Sequence, residues 1–159
     1  EISACLVGSE MCIRDSFDVE EKDIGNWTNR LEIIKRLRKL RKDPKIRVRL
    51  LMTTGCIEYW LMLHYRQLAP PLLTVPDKER MLAQVVRIEP TYRKGNYDAT
   101  ARIAQNYPTA VKNATIVLQN LLQEGMPGLE DTDERNRWLC TKCKTFSTVQ
   151  EAIIFLESL

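Results

Sequence analysis

Apolar residues in this chain recur at helical spacing far more often than they alternate. From residue 31 onward, Leu31, Ile33, Ile34, Leu37 and Leu40 follow three- and four-residue steps with basic residues between them, the stripe of an amphipathic helix. Asn29 suits its N-cap, and Glu32, three residues on, suits the return bond of a capping box. Asp43-Pro44 breaks the run and fits an N-cap followed by a first helical position. A second helix is therefore expected over 43–54, carrying Ile46, Val48, Leu50 and Leu51, with Gly55 closing it in the left-handed conformation. Residues 56–68 are apolar on nearly every side, through Ile57, Tyr59, Trp60, Leu61, Met62 and Leu63. That pattern predicts the buried central helix.

Pro70-Pro71 ends this segment, because neither proline can donate a backbone hydrogen bond and each restricts the residue before it. Further helices are expected over 76–89, presenting Met81, Leu82, Val85, Val86 and Ile88, and over 97–106. A longer one runs from Pro108 to a stop at Gly125, burying Val111, Ile116, Val117, Leu118, Leu121 and Leu122. Two more follow over 132–142 and 148–159, the last opened by a Ser147–Gln150 capping box. Strict alternation is nowhere sustained beyond about four residues, so no strand is expected. The fold class is all-α with about seven helices, either a compact bundle or a short armadillo- or tetratricopeptide-like stack of helical hairpins.

Residues 5–16, CLVGSEMCIRDS, belong to a different text. They match, codon by codon, the translation of a transposon-end sequencing adapter, and such segments are set aside before fold reasoning. The expected domain is then 17–159, a single all-α unit; a core bundle over 29–93 with added helices over 97–159 is the alternative division. The native N-terminus is expected to be missing, which leaves any targeting signal unobservable.

Charge and cysteine counts change with that reading. The whole chain has 24 basic and 21 acidic residues, a net charge of +3. Without residues 1–16, which hold Arg14, Glu1, Glu10 and Asp15, the balance is 23 against 18, or +5. The excess is concentrated: Lys35, Arg36, Arg38, Lys39, Arg41, Lys42, Lys45, Arg47 and Arg49 all lie between 35 and 49. Such clustering points to an acidic partner. Cys56, Cys140 and Cys143 remain, too sparse and odd a set for a disulfide framework, so an intracellular, reducing compartment is expected. No apolar run approaches the roughly 20 residues that span a bilayer, and no membrane partner is expected.

Little in the chain points to catalysis. It has no Gly-rich phosphate loop, no Gly-x-Ser-x-Gly and only one histidine, His64, so no second histidine can serve a nucleophile. Glu130, Asp131, Asp133 and Glu134 sit at a helix start, where they complement the helix dipole. The chain is expected not to be an enzyme, and no small-molecule substrate is evident. No cofactor is expected either; Cys140-x-x-Cys143 supplies half of a zinc site, which would need Cys56 and His64 to complete four ligands. The strongest candidate site is the basic face of the first helix, Lys35, Arg36, Arg38, Lys39, Arg41 and Lys42. It could dock an acidic protein segment or track an RNA backbone.

The segment IIKRLRKLRKDPKIRVRLLMTTGCIEYWLMLHYR, residues 33–66, resembles the helical N-terminal domain of transcription elongation factor S-II and elongin A. Leu37 and Leu40, Pro44, Leu50 and Leu51, Thr54-Gly55 and Leu63 stand where that family has its leucine-rich helix, proline turn, second helix and threonine-glycine step. The family's second glycine is Ile57 here, and its closing tryptophan is missing. The resemblance implies a helical bundle in the nucleus that binds short acidic or hydrophobic motifs of transcription partners, without catalysis. A second likeness, in ERMLAQVVRIEPTYRKGNYDATARIA over 79–104, is to a junction between tetratricopeptide units, although no period of 34 residues repeats. Together these readings predict a non-enzymatic adaptor, with a structural subunit of a ribonucleoprotein as the alternative.

Overall fold

The computed structural model describes residues 4–7, 10–19, 24–40, 47–142 and 144–159. Helices dominate it and number seven among the described residues, as the apolar spacing predicts: α1 (Ile24–Leu40), α2 (Ile57–Leu63), α3 (Val75–Ile88), α4 (Tyr97–Ala104), α5 (Tyr107–Gln123), α6 (Asp133–Thr141) and α7 (Val149–Glu157). Three strands accompany them: β1 (Ala4–Val7), β2 (Glu10–Val19) and β3 (Arg47–Thr54), in the order β1-β2-β3. β1 is antiparallel to β2, whereas β2 and β3 run parallel with Val19 opposite Thr54. A parallel neighbour needs a crossover, and α1 supplies it as the helix of a β2-α1-β3 unit. The adapter-like residues form β1 and β2 up to Ser16, while Phe17–Val19 pair with Met52–Thr54.

β3 overturns the expectation of a second helix over 43–54. Leu50, Leu51, Met52, Thr53 and Thr54 are all buried. A strand covered on both faces reads as a continuous apolar run rather than an alternating one, and over so few residues that run cannot be told from a helix by periodicity. The expected Asp43-Pro44 cap lies outside the described residues. β3 also gains an unexpected partner on its other side, the segment 144–148. Thr54 N donates to Phe146 O at 3.0 Å and Thr148 N to Met52 O at 2.8 Å. Met52 N donates to the Thr148 hydroxyl at 2.8 Å, and the Thr54 hydroxyl to Lys144 O at 2.8 Å.

Thr148 and Ser147 therefore face β3, and the predicted Ser147–Gln150 capping box does not form; α7 starts with no side-chain cap. Gly55 does take the left-handed conformation (φ 75°), but it ends a strand. A Cβ there would lie 2.8 Å from Leu72 O, so the chain turns where only glycine fits.

Two apolar clusters hold the molecule together. The first joins α2 (Tyr59, Met62, Leu63) to α3 (Met81, Val85), α4 (Ala99, Ile103) and the start of α5 (Ala110, Ala114). α2 is buried nearly all round, as predicted, although it stops at Leu63 and not at 68. Thr74 and Asp77 close a capping box at the start of α3, and Asn96 caps α4 by accepting from Ala99 N at 3.2 Å. The second cluster gathers Trp27, Leu31 and Ile34 of α1, Leu50 and Met52 of β3, Val117, Leu118 and Leu121 of α5, Leu139 and Cys140 of α6, and Phe146.

α1 begins five residues before its predicted cap Asn29 because Trp27, Leu31 and Ile34 extend the stripe upstream; Ile33 faces out instead. α5 spans both clusters and ends in a left-handed Gly125 (φ 97°), with Met126 N donating to Leu121 O at 3.0 Å. Leu122, predicted buried, is exposed.

Candidate functional site

α1 and α6 lie side by side, and the pairing is fixed by Arg38. Its Nη1 donates to Asp133 Oδ1 at 2.8 Å and its Nη2 to both Asp131 oxygens at 3.1 Å. Arg38 therefore joins two elements of the fold, and its charge is matched inside the molecule. The acids read as helix-dipole partners have this second role: Asp133 opens α6 behind its cap Thr132, whose hydroxyl accepts from Arg135 N at 3.2 Å, and Asp131 takes the Arg38 fork.

Beside this clamp the two helices leave a cleft of about 530 Å³, lined by Lys35 of α1, Pro127, and Asp133, Glu134, Arg137, Trp138, Thr141 and Lys142 of and after α6. Trp138 is half-buried, next to the buried Leu139 and Cys140, and packs against the second apolar cluster while also lining the cleft. Lys35, Arg137 and Lys142 bring three cations to the lining. Lys35 meets Glu32 at 3.0 Å and Arg137 approaches the same oxygen at 3.9 Å. The Lys35 ammonium holds the exposed Glu32 carboxyl below the usual carboxylate range. Asp133 is the Arg38 partner. Arg36 and Lys39 sit exposed on the same helix.

Of the six basic residues singled out in the sequence, Lys35 alone lines the cleft, Arg36 and Lys39 are exposed on α1 outside its lining, Arg38 is an internal clamp, and Arg41 and Lys42 lie outside the described residues. Arg137, Trp138 and Lys142 were missed as a site. Their only signal was a tryptophan beside the apolar Leu139-Cys140 pair, preceded by Arg137 and followed four residues on by Lys142.

The thiols go elsewhere. Cys140 is fully buried, its Sγ 3.3 Å from Met52 Sδ, and burial pushes the thiol up to about 12. Cys56 belongs to the other cluster, where burial pushes its thiol up to about 11. Cys143 lies outside the described residues. His64 is buried, with Nδ1 donating to Trp60 O at 3.0 Å, and burial lowers its pKa. Among the described residues no three His, Cys, Asp or Glu side chains group as a metal site requires, and no helix is long and apolar enough to cross a membrane. No family model, curated protein or solved structure matches this chain.

Proposed function

We propose that the protein is a non-catalytic interaction module that captures a short acidic segment bearing an apolar anchor, in the cleft between α1 and α6. The observation that carries this reading is the conjunction of a cleft of about 530 Å³, a half-buried Trp138 wall and the cations Lys35, Arg137 and Lys142. An apolar side chain of the partner would fill the space against Trp138 and Pro127, in the manner of an interface anchor. Its acids would meet the rim cations and, further along α1, Arg36 and Lys39, steering the encounter and fixing the register. Glu134 and the Arg38-paired Asp133 oppose acids placed at the start of α6, so the partner's charges belong beside Lys35, Arg137 and Lys142. A role in transcription elongation rests on the sequence resemblance over 33–66 alone; β3 stands where that family's second helix would be.

Fluorescence anisotropy of a labelled Asp- and Glu-rich peptide carrying one phenylalanine tests the proposal. The expected result is salt-sensitive binding that Trp138→Ala weakens about tenfold or more and that Lys35→Glu with Lys39→Glu abolishes, with helicity unchanged. Binding unaffected by Trp138→Ala and by the charge reversal would overturn it. Preference for a generic RNA strand over the peptide, with a steep salt dependence, would replace the peptide reading with the ribonucleoprotein one.

A further inference from the structure

Two charged ties join α1 to α6 beside the cleft, and they differ in kind. Glu32, Lys35 and Arg38 follow one another at three-residue steps and so neighbour one another on the surface of α1. Arg38 makes the firmer tie, a fork on Asp131 and Asp133 in which Arg38 and Asp131 are largely withdrawn from solvent. Glu32 makes the looser one. A single oxygen, Oε1, accepts from Lys35 Nζ at 3.0 Å and lies 3.9 Å from Arg137 Nη2 of α6, and the Glu32 and Arg137 side chains are half exposed (49% and 50%). Surface ion pairs of this sort contribute little to folding, and Glu32 has solvent to turn into.

Glu32 does not line the cleft, but both cations that it meets do. Its carboxyl is held below the usual range first by the Lys35 ammonium and, more weakly, by Arg137, so it meets them as an anion at neutral pH. A carboxylate of the chain's own thus stands between the two cations that an acidic partner would have to reach.

We propose that Glu32 is a built-in competitor for the partner: it occupies the carboxylate subsite between Lys35 and Arg137 and is displaced by an acid of the bound segment. The proposal rests on the acidic-segment reading of the cleft, and adds where one acid of that segment sits and what it displaces. The exchange puts one carboxylate in place of another at the same two cations while Glu32 turns into solvent. A lone carboxylate gains nothing by it. One delivered with an apolar anchor also gains the contact with Trp138, so the tie sets a threshold against free anions and unanchored acids.

Anisotropy titrations with the labelled Asp- and Glu-rich, phenylalanine-bearing peptide test this on the full chain, on Glu32→Gln, on Lys35→Gln and on the double variant. Glutamine matches glutamate and lysine in helix propensity, so α1 stays folded, which circular dichroism checks. Glu32→Gln should tighten binding about two- to fivefold, the worth of a surface ion pair. Lys35→Gln should weaken binding, and in that background Glu32→Gln should bring little gain, because the closer of the two contacts to be displaced is already gone. Unchanged or weaker binding in Glu32→Gln would overturn the proposal. So would an equal gain with and without Lys35, which would assign the effect to the general field of one acid fewer. In both cases the peptide still binds and the acidic-segment reading stands; no binding by any of the four proteins would overturn that reading and this proposal with it.

Discussion

The two apolar clusters are built by different means. Around Tyr59, Met62, Met81 and Ile103, the contacts join helices close in sequence, and each helix carries its own start signal: the Thr74–Asp77 box, the Asn96 cap and a proline in the first turn of α5. Around Trp27, Met52, Leu139 and Phe146, the contacts join β3 to α5 and to segments more than 85 residues away, and side-chain hydroxyls supplement the backbone bonds to 144–148. The first half is assembled from local preferences, the second from distant ones. The proposed cleft opens on the second half, where charged residues from α1 and α6 are brought together.

The largest effect should come from the buried cation of that half. Arg135→Ala leaves Glu151 without its fork and Asp131 with one guanidinium fewer, and breaking a buried pair from one side costs about 3–5 kcal/mol. Urea unfolding measures it, and a loss under about 1 kcal/mol would show that the Arg135–Glu151 pair does not hold α6 to α7.

A sharper contrast uses one residue type in both halves. Thr148→Val deprives the buried Met52 N of its acceptor, at a cost of about 1–3 kcal/mol. Thr74→Ala removes an exposed helix cap, at about 1 kcal/mol. Equal losses would erase the distinction between the distant and the local hydroxyl.

The smallest effect is a pH dependence in the first half. Burial lowers the pKa of His64 below 6.5, so the folded state favours the neutral ring and the unfolded state takes up the proton first. Stability is thus complete above about pH 6.5 and falls as the pH drops below it, by at most about 1.4 kcal/mol per unit. Glu89, held at about 2 by Arg102 and Thr91, and Asp77, lowered by its bonds to Thr74, lose their contributions only below about pH 4.5, outside that window. Because His64 is the only histidine, His64→Gln should flatten the melting temperature between pH 7 and 5. A slope that survives the substitution would assign it to another group.

The same division explains what the amino-acid pattern disclosed. The order of the seven helices, the burial of α2 and the left-handed turn at Gly55 follow from spacing, prolines and caps. β3 does not, because Leu50-Leu51-Met52 is apolar without alternation and its pairing partners, Phe17–Val19 and 144–148, are remote. Thr148 likewise reads as a helix start until β3 is in place beside it. At the candidate site the basic residues of α1 were visible as a cluster, but whether each faces outward depends on α6. Arg38 is neutralised only because Asp131 and Asp133 arrive from the far end of the chain, and Trp138 becomes a wall only when Lys35 stands opposite.

Chemical-shift mapping during titration with the acidic, phenylalanine-bearing peptide tests the central claim most directly. The account predicts that the signals of Lys35, Arg137, Trp138 and Lys142 shift together, with one affinity that weakens as salt rises, while those of Gln150 and Ile154 stay fixed. Shifts centred away from Trp138, or none at Trp138 at low salt, would contradict it.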